Sequence, residues 1–166
     1  RARQRALKQV HDVTPTHSTS APPILKRHVI HAGVAKCYTV VKCDVGNAYM
    51  RARTQRPPRY MRMPEHMREY DDDGVELVLE MTQYAIWGDE PSGWEWDEDF
   101  NLCRKAAGWQ PAEGVPGLWT YGDAWMVSEV DDFLILEPRA GQYDITTRTI
   151  AFITAWYKRS SDEVVV

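Results

Sequence analysis

Three cysteines in 166 residues, Cys37, Cys43 and Cys103, are too few and too irregularly spaced for a disulfide framework, and they suit a reducing compartment. No apolar run of 18 residues is present, and the first residues do not read as a signal peptide. The expectation is a soluble, intracellular protein with no membrane partner. Repeats and low-complexity tracts are absent, and so are a Gly-rich phosphate loop, a Ser-His-Asp pattern and an HExxH motif. His28, His31, Cys37 and Cys43 have spacings that suit no common zinc module, and they read as core or surface side chains. Residues 69–99 contain no Lys or Arg.

Hydrophobic content of 43% and seven Trp are enough for one domain with a real core. The net charge of −4 conceals a strong asymmetry. Residues 1–68 hold 14 Lys/Arg against only Asp12, Asp44 and Glu65, whereas residues 69–99 hold 12 acids. A basic front half is an electrostatic footprint for a nucleic-acid backbone. The acidic middle would repel that backbone, so its side chains are expected on an outer face or reflect drift from a functional ancestor.

The first twenty residues read as an arm. Pro22-Pro23 suits the first turn of a helix with Ile24, Leu25, Val29 and Ala32 on its apolar face and Gly33 near its end. Tyr38–Val45 is β-rich, and a short helix is expected over 47–53, closed by Pro57-Pro58. Tyr60–Met63 returns as a strand. Asp71–Gly74 reads as a turn, and Val75–Met81 as the strand after it. Trp96, Phe100, Cys103 and Ala107 follow helical spacing over 92–107, and Gly108 would stop that helix. Leu118–Tyr121 and Ala124–Val130 flank Gly122-Asp123 as a hairpin. Asp131-Asp132 is expected as a second tight turn before Phe133–Leu136, and Ile150–Tyr157 as a last helix. This mixture predicts an α+β fold with an antiparallel sheet flanked by helices.

Two of these runs place carboxylates at the ends of apolar strands: Cys43-Asp44-Val45 and Val130-Asp131-Asp132. Buried there they would be costly unless they held something positive. Acids converging from distant strands are what a two-metal site needs, and hard Mg²⁺ suits carboxylates better than thiols or imidazoles. Read alone, Asp44 is equally a helix N-cap and Asp131-Asp132 a solvated turn.

The order of several short blocks is similar to the reverse transcriptase domain of copia-type retrotransposons. Asp44-Val45-Gly46-Asn47-Ala48-Tyr49 resembles that family's first catalytic block, and Tyr60-Met61-Arg62-Met63-Pro64 its Tyr-Met-x-x-Pro segment. Tyr84 through Pro91 and Trp94 follows the family's Tyr-Gly-Leu-Lys-Gln-x-Pro-x-x-Trp loosely: Trp87 replaces a Lys, Ala85 a Gly, and the stretch to Pro91 is one residue too long. Gly108-Trp109, Leu118-Trp119 and Val130-Asp131-Asp132 come next in the family's order.

The resemblance implies a single fingers-and-palm fragment over 1–166 without its thumb. A fingers-like arm and helix would occupy 1–36, and the palm 37–166, with an inserted fingers segment over 53–90. The implied activity is RNA-directed DNA polymerisation by two-metal nucleotidyl transfer to a primer 3′-hydroxyl. The implied partners are an RNA or DNA primer–template, a dNTP and the rest of a polyprotein (integrase, ribonuclease H), in a cytoplasmic particle or the nucleus. Asp44, Asp131 and Asp132 would be catalytic and, with Val45, would hold two Mg²⁺ (or Mn²⁺). Tyr49 would be a steric gate against a ribose 2′-hydroxyl, beside Ala48. Arg1 and Arg3 would embrace the triphosphate, and Gln83 and Tyr84 would touch the nucleotide. Arg51, Arg53, Arg56, Arg59 and Arg62 would follow template or primer phosphates; a solvated face is their other reading. Glu129 departs from the family pattern and has two readings; in one it points away from the acids on the opposite strand face. Facing them, it would strengthen metal binding and disturb its geometry. A degenerate or domesticated palm that binds nucleic acid without catalysis is the alternative.

Overall fold

The computed structural model describes residues 20–53, 59–81, 84–85, 88–89, 91–139 and 144–161. Pro23, which needs no N–H donor there, opens helix α1 (Pro23–Ala35). Strand β1 (Tyr38–Asp44), the one-turn helix α2 (Ala48–Arg51), strand β2 (Arg59–Arg62), a 3₁₀ turn (Glu65–Met67) and strand β3 (Val78–Met81) follow. The chain continues through α3 (Ser92–Ala106), β4 (Gln110–Pro111), β5 (Leu118–Tyr121), β6 (Ala124–Glu129), β7 (Asp132–Pro138) and α4 (Asp144–Ser161).

Five strands pair antiparallel in the order β1-β7-β6-β5-β4, and β2 with β3 forms a separate antiparallel ribbon. The fold is therefore α+β. Side chains alternate across a strand, so β5, β6 and β7 each supply two cores. Trp119, Met126, Phe133 and Ile135 meet Trp96, Phe100 and Cys103 of α3 and Ile153 and Tyr157 of α4. On the opposite face Val127 and Leu136 meet Ala21 and Val29, with Leu25 and Tyr38 packed against them. Full burial of one such side chain as large as Phe100 is worth about 3 kcal/mol.

Several elements depart from expectation for identifiable reasons. The buried stripe of α1 is Leu25, Val29 and Gly33; Ile24 is 59% exposed. Gly33 lies against Leu136 so closely that a Cβ there would collide with that side chain. The strand expected over 75–81 shrinks to 78–81 because Asp71 claims the segment before it. Its Oδ1 accepts from the backbone N–H groups of Asp73 and Val75, and Tyr70 bridges to Glu76. Helix α4 begins earlier than residue 150 because the buried Glu137 on β7 accepts from the Thr146 N–H at 2.8 Å and its hydroxyl at 2.5 Å. An acidic group at a helix N-terminus also complements the helix dipole. Asp132 is already the first residue of β7, so the tight turn is Val130-Asp131.

The acidic block is not confined to an outer face. Asp71, Asp72 and Asp73 are exposed, but Glu95, Asp97 and Asp99 are buried on α3. Arg104 accounts for Asp97. That guanidinium is 2% exposed, sits 3.6 Å from Asp97 Oδ1, donates to Ser128 Oγ at 2.6 Å and also reaches Asn101. Phe100 and Trp119 rings lie 4.4 and 4.2 Å from its central carbon. Burial pulls its pKa down to about 10, with Asp97 opposing that pull.

Candidate functional site

β1 delivers Asp44, and β7 begins with Asp132; the two are direct cross-strand partners. Asp132 is in turn the partner of Glu129 on β6. Opposed residues of an antiparallel sheet share a face, with Cβ atoms about 5 Å apart. Glu129, Asp132 and Asp44 therefore form one row of carboxylates across three strands, on the face that carries α1. Of the two readings of Glu129, the register selects the one that faces the acids, because the two-residue turn sets it opposite Asp132.

Two lysines neutralise part of the row. Lys42, two residues before Asp44 on the same face, places Nζ 3.0 Å from Asp132 Oδ2. Lys26 of α1 forms an ion pair with Glu129. Asp44 itself is exposed.

Asp131 stands in the turn rather than in the row. Its carbonyl accepts from the Val45 N–H at 3.1 Å, which ties the β6–β7 turn to the end of β1. The neighbouring Val130 carbonyl accepts from the Trp96 indole at 2.6 Å. Val130 has φ +47°, while Asp131 does not share the positive φ. That combination belongs to a type II′ turn, which favours glycine at its first central position. A β-branched residue there is strained, and such strain concentrates at functional sites.

Beyond Asp44 the buried Val45 leads into Gly46 and Asn47, whose φ of +56° starts α2. Ala48 is buried, and Tyr49 is half-buried against the α3–α4 core. Burial, and then the charge of Asp131, raise the Tyr49 pKa, so phenol and carboxylate are electrostatic neighbours.

The described arginines of the run engage different partners. Arg51 donates through Nε to the Gly46 carbonyl at 2.7 Å, steadying the loop behind Asp44. Arg53 pairs in a β-bridge with Tyr84 and acts electrostatically on Asp99. Arg62 sits on the β2–β3 ribbon with its Nε 3.0 Å from Glu76, which Arg68 approaches at 3.5 Å. Arg59 begins β2. Arg1, Arg3, Arg56 and Gln83 lie outside the described residues.

The donors of the row are hard oxygens, the right chemistry for Mg²⁺, and Asp44 beside Asp132 supplies two of them. Among the described residues, however, no group of three or more His, Cys, Asp or Glu side chains is placed to hold a metal ion. His28 Nδ1 lies 2.8 Å from the Ile24 carbonyl within its own helix.

Sequence reasoning missed two features. One is the membership of Glu129 in the row, which follows only from strand register. The other is a pocket of about 460 Å³ on the opposite face, lined by Arg51, Arg53, Asp99, Phe152, Trp156 and Tyr157 among others. Helical spacing from Trp96 to Ala107 could have placed Asp99 beside the core face, but nothing local names its partners. Among the described residues no helix is long and apolar enough to cross a membrane. Comparison with protein-family models, curated proteins and solved structures gives no match to this chain.

Proposed function

We propose that the chain is the fingers-and-palm part of a copia-type reverse transcriptase and performs nucleotidyl transfer on a primed template. The observation that carries the reading is the pairing of Asp44 with Asp132. These acids lie far apart in sequence, and register sets them side by side at a strand end, next to a strained turn. Asp44, Asp131 and Asp132 would hold Mg²⁺. Bound there, the ions supply activation of the primer 3′-hydroxyl and charge neutralisation at the leaving pyrophosphate.

The chain's own groups do the rest. The Val45–Asp131 and Trp96–Val130 hydrogen bonds fix the acids before substrate arrives, which is how positioning lowers the barrier. Tyr49, beside Asp131, would lie under the sugar of the incoming dNTP and obstruct a 2′-hydroxyl. Arg51 and Arg53 would meet phosphates of the primer–template.

A second reading is favoured by a specific observation: Lys42 and Lys26 already occupy Asp132 and Glu129. On that reading the palm binds nucleic acid and has lost catalysis. Primer extension on an RNA template with Mg²⁺ and dNTPs separates the two. The polymerase reading expects extension that disappears in Asp44→Asn. Salt-sensitive primer–template binding with no extension in either protein would overturn it in favour of the second.

A further inference from the structure

β1 is an edge strand: the sheet runs β1-β7-β6-β5-β4, and among the described residues no strand pairs with β1 on its other side. Two observations fix which backbone groups that edge leaves open. The two-residue β6–β7 turn makes Glu129 and Asp132 a hydrogen-bonded pair, so the Asp132 backbone points to β6 and the Phe133 backbone to β1. The Val45 N–H donates to the Asp131 carbonyl, which gives the same alternation from the β1 side. Thr39, Val41 and Cys43 therefore bond β7. Tyr38, Val40, Lys42 and Asp44 turn their N–H and C=O groups outward, with no backbone partner among the described residues. An open row of this kind is a template for another strand.

Charge and the helix above the edge narrow the partner. The two ends of β1 carry opposite charge. Lys36 Nζ lies 6.0 Å from the Tyr38 ring centre, and the exposed Arg139 follows Pro138, the cross-strand partner of Tyr38; the other end carries Asp44. Helix α1 lies over β1 and β7, and Lys26 reaches from it toward Glu129 on β6. The flank of α1 beyond the buried Leu25-Val29-Gly33 stripe is therefore the one that overhangs the open edge. It carries Ile24, His28, Ala32 and Ala35, all exposed, at helical spacing and with no Lys, Arg, Asp or Glu among them. A long charged peptide finds nothing to pair with on that flank, whereas a second small, uncharged helix flank can pack closely against it.

We propose that β1 pairs antiparallel with β1 of a second copy of this chain, about a two-fold axis at Val41. Tyr38 then stands opposite Asp44 of the second copy, Thr39 opposite its Cys43 and Val40 opposite its Lys42. This register joins the outward backbone groups of both copies and makes one continuous sheet. It brings the Lys36–Arg139 end of each strand to the Asp44 end of the other and sets no like charges directly opposite. The neighbouring register, centred on Lys42, opposes lysine to lysine and is disfavoured. Each α1 rides about half a strand spacing inside its own edge, so the two helices come about 10 Å apart, a packing distance that the Ile24, His28, Ala32 and Ala35 flanks allow. One strand and one helix per copy make a small interface, so the association is reversible.

The proposal does not rest on nucleotidyl transfer, and its readout is mass. Analytical ultracentrifugation of the full chain over a range of concentrations is expected to show a reversible monomer–dimer equilibrium. Val40→Lys, at an exposed position, opposes a lysine to Lys42 twice across the axis and is expected to raise Kd about tenfold. Val40→Pro removes an N–H that β7 does not use and is expected to abolish the dimer with an unchanged circular dichroism spectrum. Thr39→Cys, combined with Cys37→Ser, is expected to form a covalent dimer through Cys43 under copper–phenanthroline oxidation. Opposed Cα atoms at that pair lie about 4.5 Å apart, within disulfide range, whereas positions 39 and 43 of one strand are about 13 Å apart and cannot bridge within a chain. A chain that stays monomeric up to millimolar concentration, a dimer that neither Val40 variant weakens, or absence of the cross-link would overturn the proposal.

Discussion

Asp44 and Asp132 face each other across β1 and β7, two carboxylates held in register at the end of that strand pair. Like charges directly opposed across strands destabilise a sheet by about 0.2–1 kcal/mol. Lys42 relieves part of this by pairing with Asp132. Asp44→Asn should therefore stabilise the metal-free chain, raising Tm by about 1–2 °C in thermal unfolding without divalent ions. A lower Tm would show that Asp44 has a structural role instead. Lys42→Gln should do the reverse, lowering the metal-free Tm by a similar amount.

Arg104 is the polar anchor between α3 and the sheet. Replacing it by Ala would remove its contacts to Asp97, Ser128 and Asn101 and empty the space between Phe100 and Trp119. Breaking a buried pair from one side costs about 3–5 kcal/mol, or on the order of 10 °C in Tm. Arg104→Lys should recover less than half, because an ammonium cannot stack flat or reach three partners at once. A loss below about 1 kcal/mol in denaturant unfolding of Arg104→Ala would contradict this role.

Much of the architecture is legible before any coordinates. The Trp96, Phe100, Cys103 and Ala107 spacing places α3, Gly108 ends it at φ +93°, and the Gly122-Asp123 hairpin falls where turn chemistry puts it. Asp44 at a strand end is equally local. What escapes the sequence is tertiary. Glu129 joins the carboxylate row only through the β6–β7 register, and Asp99 and Arg104 are buried because partners arrive from α4 and the sheet. The start of α4 is hidden for the same reason, since its cap, Glu137, sits on another element.

Asp99 should leave a signature in the pH dependence of stability. Burial raises its pKa above the unfolded value, so the folded chain holds that proton to higher pH. The resulting stability is fully present below about pH 4 and is lost as pH rises through the folded value. Asp99→Asn, which cannot titrate, should gain on the wild-type chain as pH rises above about 4. Denaturant midpoints measured across that window check it; parallel curves would contradict it.

Gly117 is needed for a close backbone approach. Its φ is +77°, and a Cβ would lie 2.6 Å from the Ala21 backbone nitrogen, a contact no side-chain rotation can relieve. Gly117→Ala should cost about 2–4 kcal/mol, from left-handed strain plus overpacking. Gly114 has φ +70° but open space around it, so Gly114→Ala should cost about 1 kcal/mol. Equal losses in the two variants would show that crowding against Ala21 plays no part.

The carboxylate row is most directly tested by thermal unfolding with and without millimolar Mg²⁺, comparing the wild-type chain with Asp44→Asn. A ligand that binds only the folded state stabilises it in proportion to the logarithm of its concentration over Kd. The account predicts that Mg²⁺ raises the wild-type Tm progressively with concentration and leaves Asp44→Asn unmoved, even though that variant starts higher in metal-free buffer. A wild-type Tm indifferent to Mg²⁺, or an equal rise in both proteins, would contradict the assignment of Asp44 and its neighbours as a metal site.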